Sequence, residues 1–133
     1  MKIIWTNGCF DIMHPGHIEL FKEAKALGDR LIVGIDTDDR VKEKKGSNRP
    51  IYNQEDRGLM LIALSAVDEV TYFSSDESLE ALIKDVRPDI MMVGSDWKGK
   101  SVIGQHSAGE LIFFDRIEKY ATSKTIQCII DRG

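Results

Sequence analysis

Cysteine, histidine and proline are all scarce in this chain of 133 residues, at two, three and three copies. Cys9 and Cys128 lie far apart in apolar segments, with no Cys-x-x-Cys pair and no metal-ligand spacing. That excludes a disulfide framework and predicts two buried, reduced thiols. Long hydrophobic runs are missing as well. No stretch approaches the ~20 apolar residues that span a bilayer, so no membrane partner is expected. The first residues, Met1 to Thr6, run straight into a strand-like segment without the charged-then-apolar leader of an exported chain, and a cytoplasmic location is the expectation. Positive charge is not in excess either: 18 Lys and Arg stand against 22 Asp and Glu, a net charge of −4. Broad binding to nucleic acid, which rests on neutralising many phosphates, is therefore disfavoured. One local basic pocket for a nucleotide is not.

What is present is the balance of an ordinary globular protein, 42% hydrophobic and 30% charged. The length suits one domain over residues 1–133 with a sizeable core of its own. Lys2–Thr6 reads as a buried strand ended by a turn at Asn7–Gly8. Apolar residues at Ile18, Leu20, Phe21, Ala24 and Leu27 predict a helix, headed by Pro15 and stopped at Gly28. Further strands are expected at 30–35, 69–73, 89–93 and 111–114. Helices are expected around Arg40–Lys42, from Asn53 to Leu64, from Ser78 to Val86 and from Ser123 to Ile130. The polar stretch from Glu43 to Pro50 reads as a mobile loop. Alternating strand and helix predicts a Rossmann-like α/β domain, a parallel five-stranded sheet with helices on both faces.

The informative stretch runs from Thr6 through Asn7, Gly8, Cys9, Phe10 and Asp11 to His14, Pro15, Gly16 and His17. It leaves the carboxyl end of the first strand, where open α/β sheets bind ligands, and enters a helix whose N-terminus is a natural anion site. His14 and His17, three residues apart, can share one face. Each imidazole can donate a hydrogen bond to a phosphate oxygen, and Gly16 leaves the backbone open to close approach. A zinc pair is the alternative, but no third ligand lies near enough in sequence to complete it; no metal site is predicted. His106 stands alone among polar residues and reads as surface.

The run Phe10–Asp11–Ile12–Met13–His14–Pro15–Gly16–His17 resembles the HxGH signature of the cytidylyltransferase-like nucleotidyltransferases, and the likeness extends almost end to end. Two branches come nearest: the heptose 1-phosphate adenylyltransferase of ADP-heptose synthesis, alone or as one domain of a bifunctional enzyme, and glycerol-3-phosphate cytidylyltransferase. Thr–Asn–Gly–Cys–Phe–Asp, the Lys–Gly–x–x–Arg–Pro loop and the Arg–Pro–Asp before the fourth strand favour the heptose branch. Asp96–Trp97–x–Gly–Lys and Arg116 favour the glycerol-phosphate branch.

The resemblance implies an NTP and a phosphorylated sugar or polyol as substrates, a magnesium ion accompanying the NTP, and a homodimer. It implies roles for His14, His17, Lys45 and Arg116 at the reacting phosphates. Thr6, Asn7, Gly8, Cys9, Phe10, Gly16, Asp96, Trp97, Thr122 and Ser123 would bind nucleotide, and Asp11, Lys44 and Arg57 the acceptor. Whether Lys44 or Lys45 is the working lysine stays open. Thr122 and Ser123 match the end of the family's Ser–Thr–Thr motif, while Ala121 replaces its first serine and Lys119 a glycine. Capping the last helix is the simpler reading of those hydroxyls. A nucleotide-binding sensor without turnover is the alternative of a different class.

Overall fold

Side chains alternate across the first strand: Ile4 and Trp5 are both fully buried but face opposite sides of the sheet. The computed structural model describes residues 1–115 and 120–133. Its elements run β1 (Ile3–Gly8), α1 (Pro15–Ala26), β2 (Arg30–Asp36), α2 (Asp38–Lys45), α3 (Gln54–Ile62), β3 (Glu69–Phe73), α4 (Asp76–Val86), β4 (Ile90–Gly94), β5 (Glu110–Phe114) and α5 (Thr122–Arg132). The five strands form one parallel sheet in the order β3-β2-β1-β4-β5.

On one face Ile4, Leu31, Val33, Ile35, Ile90 and Met92 pack with Phe21 and Ala24 of α1 and Leu61 of α3. On the other, Trp5, Ile32 and Met91 pack with Leu79 and Ile83 of α4. A parallel strand covered on both faces must be apolar throughout, which is why β2 reads Leu–Ile–Val without alternation. Each large side chain buried in this way stabilises the fold by roughly 1.5–3 kcal/mol. Gly34 is required beneath Trp5, because a Cβ there would lie 2.6 Å from the indole. The chain order reverses between β1 and β4, and the carboxyl ends of these strands border a crevice where α/β folds place ligands.

Several boundaries differ from the sequence expectation. Asn7 and Gly8 continue β1, paired with Gly34 and Ile35, rather than forming a turn. Helix α2 runs on to Lys45, so Lys44 and Lys45 are helical rather than part of a mobile loop. It has almost no apolar pattern to announce it. Asp38 and Asp39 in its first turn and Lys42, Lys44 and Lys45 in its last complement the helix dipole. Cys128, expected to be buried, is exposed on α5, whereas His106 is exposed as expected. No described helix is long and apolar enough to cross a membrane.

Candidate active site

The loop between β1 and α1 is held in a shape it would not adopt alone. Phe10 and Ile12 both have left-handed backbone angles, with φ of 52° and 53°, a conformation costing a side-chain-bearing residue roughly 1–2 kcal/mol. Remote segments over-determine it. The buried Asp11 carboxylate accepts from the N–H groups of Ile51 (2.6 Å) and Tyr52 (3.0 Å), with Arg49 Nε at 3.5 Å. Arg57, fully buried, donates Nη1 to the carbonyls of Cys9 (2.9 Å) and Asp36 (2.8 Å). It also donates Nε to Tyr52 O and Nη2 to Asp38 Oδ1. The Thr122 hydroxyl donates to Asp11 O at 2.7 Å, with Ile12 O at 3.1 Å. Strain of this kind persists only where the surroundings enforce it, and it concentrates at functional sites.

The loop delivers the chain into α1 through its two histidines. His14 is the N-cap, and its Nδ1 accepts from Gly16 N–H at 3.1 Å. His17 Nδ1 accepts from His14 N–H at 3.3 Å, completing a capping box built from imidazoles. An accepting Nδ1 carries no proton, so these bonds assign the proton of each neutral ring to Nε2. The rings stack with centroids 3.8 Å apart and 19° between planes, and Phe10 meets His17 edge-on at 5.3 Å. Two Nε2–H donors are thus fixed side by side at a helix N-terminus.

Both rings line a cavity of about 320 Å³ together with Gly16, Lys45, Thr122 and Ser123, from three separate helices. A second cavity of about 240 Å³ shares its Leu20 and Gly94 walls with the first, and Thr6, Asn7, Gly8, Lys44 and Trp97 line it. Adjacent lysines on α2 therefore serve different cavities, Lys45 the first and Lys44 the second. Trp97 lies in a single 3₁₀ turn, Ser95–Trp97, and is half exposed.

Other expected site residues are elsewhere. Asp11 and Arg57, expected to bind the acceptor, line neither cavity; they are buried struts under the β1–α1 loop, with their polar groups bonded to protein. Phe10, expected at the nucleotide, is a core residue packed on Phe21. Cys9 also lines neither cavity. Burial pushes its thiol above the ordinary value, against the lowering pull of Lys45 and Arg57. Asp96 is exposed. Arg116 and Lys119 lie outside the described residues. Thr122 and Ser123 do not cap α5: Ala121 holds that position without a side-chain bond. Leu20, Asp36, Arg40 and Phe114 line the cavities and were not singled out by sequence. Asp36 at the carboxyl end of β2 carried the available signal, a polar residue at the ligand edge of the sheet.

Among the described residues no group of three or more His, Cys, Asp or Glu side chains is gathered as a metal cage. The arrangement offers hydrogen-bond donors and cations around a cleft, suited to stabilising charge on phosphates.

Comparison with known proteins gives the same picture. A family model described as cytidylyltransferase-like matches residues 5–113. Among curated proteins, the bifunctional protein HldE of Helicobacter hepaticus is 46% identical over 128 residues, covering 96% of this chain and 26% of its own length. That of Sulfurimonas denitrificans is 48% identical over 128 residues, covering 96% and 27%. The chain thus spans about a quarter of the length of these relatives. Among solved structures, a lipopolysaccharide core biosynthesis protein from Thermoplasma volcanium superposes with a TM-score of 0.74 at 26% identity, over 87% of this chain and 98% of that one. A protein of unknown function from Archaeoglobus fulgidus, 17% identical with a TM-score of 0.63 over 91% and 94% of the two chains, shares the fold. With four-fifths of its length under the family model and its histidine pair at the head of α1, the chain belongs to the cytidylyltransferase-like nucleotidyltransferases.

Proposed function

We propose that the protein transfers the adenylyl group of ATP to the phosphate of D-glycero-D-manno-heptose 1-phosphate, forming ADP-heptose and pyrophosphate. The observation that carries the reaction type is the pair of Nδ1-capped histidines facing the same cavity as Lys45 and the N-terminus of α5. The acceptor rests on the heptose-branch motifs and on relatives named HldE at 44–48% identity.

In this reading the triphosphate occupies the first cavity, and the second holds the nucleoside, bordered by Thr6, Asn7, Gly8 and Trp97, together with the approaching acceptor. An oxygen of the acceptor phosphate attacks the α-phosphorus in line; the bond from that phosphorus to the bridging oxygen breaks, and pyrophosphate leaves with the electron pair. The acceptor phosphate is already ionised, so no protein nucleophile or base is required, and catalysis is positioning plus charge stabilisation. His14 and His17 donate from Nε2 to the α- and β-phosphate oxygens, Lys45 neutralises growing charge, and Ser123 with the α5 N-terminus holds the outer phosphates, while the Thr122 hydroxyl, whose proton goes to Asp11 O, shapes the loop beside them. Lys44 faces the acceptor, and the role that the family resemblance gives Arg116 is to neutralise phosphate charge. Magnesium enters as part of the magnesium–ATP substrate. Two free thiols suit a reducing cytoplasm, and the working unit is a homodimer, to be checked by light scattering.

Trp97 at the second cavity favours a second reading, CTP with glycerol 3-phosphate, because the Asp–Trp–x–Gly–Lys spelling belongs to that branch. Pyrophosphate release measured with ATP or CTP, each with either acceptor and Mg²⁺, separates the two. Turnover with ATP and heptose 1-phosphate is expected. Turnover confined to CTP and glycerol 3-phosphate reverses the assignment, and nucleotide binding without turnover points to a sensor.

A further inference from the structure

Helix α2 carries both lysines of the site, yet only two of its eight residues, Arg40 and Val41, are buried. The last four, Lys42 to Lys45, are exposed. A long, flexible side chain is useful at a reacting phosphate only if its base is fixed, so the anchorage of this helix bears on the chemistry. Thr37 at its N-cap makes no side-chain capping bond. The first residue of α2, Asp38, is held by Arg57 Nη2 at 2.8 Å and, through its N–H, by Gln54 Oε1 at 3.0 Å; the anchor nearest the two lysines is Arg40, 5% exposed in the whole molecule.

Its Nε donates to Asp36 Oδ1 at 2.8 Å and its Nη2 to Asp76 Oδ1 at 2.6 Å. Asp36 ends β2 and Asp76 begins α4, so one guanidinium bolts α2 to two other elements. The guanidinium carbon also sits 5.3 Å from the centre of the Phe73 ring at the end of β3. Arg40 and Lys44 are four residues apart, on one helix face, and both line the second cavity. Lys45 is rotated one position round, and it meets the first. Burial works against the charge on Arg40, but its two carboxylates outweigh that and hold it more firmly protonated than usual. Arg40 is thereby neutralised by protein, unlike a residue kept for a ligand.

We propose that Arg40 is a positioning residue for nucleotidyl transfer: locked between Asp36 and Asp76, it fixes α2 so that Lys45 meets the triphosphate and Lys44 the acceptor. This rests on the site reading above. It extends the machinery to a residue that no motif marks.

The test is a double-mutant cycle in the full chain between Arg40→Gln and Lys45→Ala. It is read in turnover with ATP and heptose 1-phosphate and in equilibrium binding of magnesium–ATP. If Arg40 acts through the α2 lysines, each single variant loses about tenfold in kcat/KM and the double variant loses far less than the roughly hundredfold of independent effects, any loss beyond Lys45→Ala alone being the displacement of Lys44. Arg40→Lys, which keeps the charge and one hydrogen bond, recovers part of the loss. Losses that multiply in the double variant overturn the proposal while leaving the site reading intact. A Lys45→Ala variant with unchanged binding and turnover overturns both. Asp76→Asn removes only the outer anchor, whose carboxylate is 63% exposed, and serves if Arg40→Gln does not fold. It is expected to cost about threefold and to show the same non-additivity with Lys45→Ala; full additivity there overturns the proposal equally.

Discussion

The hydroxyl of Thr122 donates to the carbonyl of Asp11, 111 residues earlier in the chain, at 2.7 Å. The contact joins the first residue of α5 to the strained loop that carries His14 and His17, so the two halves of the first cavity are tied directly. Thr122→Val keeps the side-chain shape and removes the donor. It is expected to cost about 1 kcal/mol of stability for the lost hydrogen bond and to lower turnover about tenfold, since misplaced groups at a reacting centre are costly. Thr122→Ser restores both. Urea unfolding alongside steady-state kinetics measures the two effects. Unchanged turnover in Thr122→Val would remove the loop–helix tie from the mechanism.

His14 does two things that can be separated by substitution. Its Nδ1 caps α1 through Gly16 N–H, while its Nε2–H is the group that the proposed function assigns to phosphate. Asn is a good N-cap whose side-chain oxygen can take the same backbone bond, but it does not carry a donor to the ring's far edge. His14→Asn is expected to keep its melting temperature and lose roughly 100-fold in kcat, the scale of a lost oxyanion-hole donor. His14→Ala should lose both, with about 1 kcal/mol of stability from the missing cap. Equal activity in His14→Asn and the parent would confine His14 to capping.

Arg57 was expected at the acceptor, and its burial points to a different phenotype. Its guanidinium serves three backbone carbonyls and the Asp38 carboxylate. Arg57→Met leaves those acceptors and one carboxylate without their partner, at a cost of about 3–5 kcal/mol, as when one member of a buried ion pair is removed. The expected signature is a large fall in melting temperature, with the KM for the acceptor close to normal in whatever fraction stays folded. A raised acceptor KM at unchanged stability would restore the sequence reading.

Arg57 and Asp11 show where the sequence stopped being informative. A motif identifies which residue types accompany a chemistry, but not whether a charged side chain meets ligand or backbone. The partners that bury Asp11 are amides 40 and 41 residues away, and no local pattern encodes them. The β1–α1 turn was legible because a β-branched run, a histidine pair around Pro–Gly and helical spacing all agree there. The parallel sheet was legible for the same reason, each strand being a short apolar run between helical segments. Helix α2 was legible only around Arg40–Lys42 and its run on to Lys45 was not, since seven of its eight residues are charged and its stability comes from charge placement and the buried Arg40 rather than from an apolar stripe. Cys128 misled in the opposite sense: it sits among isoleucines, yet Ile129 and Ile130 are themselves about two-thirds exposed.

Asp68 gives the fold a pH dependence of its own, away from the site. Its carboxylate accepts from Lys25 Nζ at 2.6 Å and from Leu31 N–H at 2.7 Å, joining α1 to the start of β2. Burial works to raise this carboxyl, but the Lys25 ammonium and the Leu31 amide outweigh it and hold it below the usual range. The unfolded chain binds its proton more readily, at about pH 3.9. The stabilisation is therefore complete above that value and is lost as pH falls through the lower folded value. Asp68→Asn keeps an acceptor oxygen for Leu31 and removes the charge that Lys25 meets. It should cost about 1 kcal/mol at pH 7, as for a partly exposed, hydrogen-bonded ion pair, and nothing once the native carboxyl is itself protonated. Urea unfolding of the two proteins from pH 7 down to acid should show their stabilities converging below about pH 4. A gap that stays constant with pH would mean that Asp68 stabilises the fold through shape and hydrogen bonding alone.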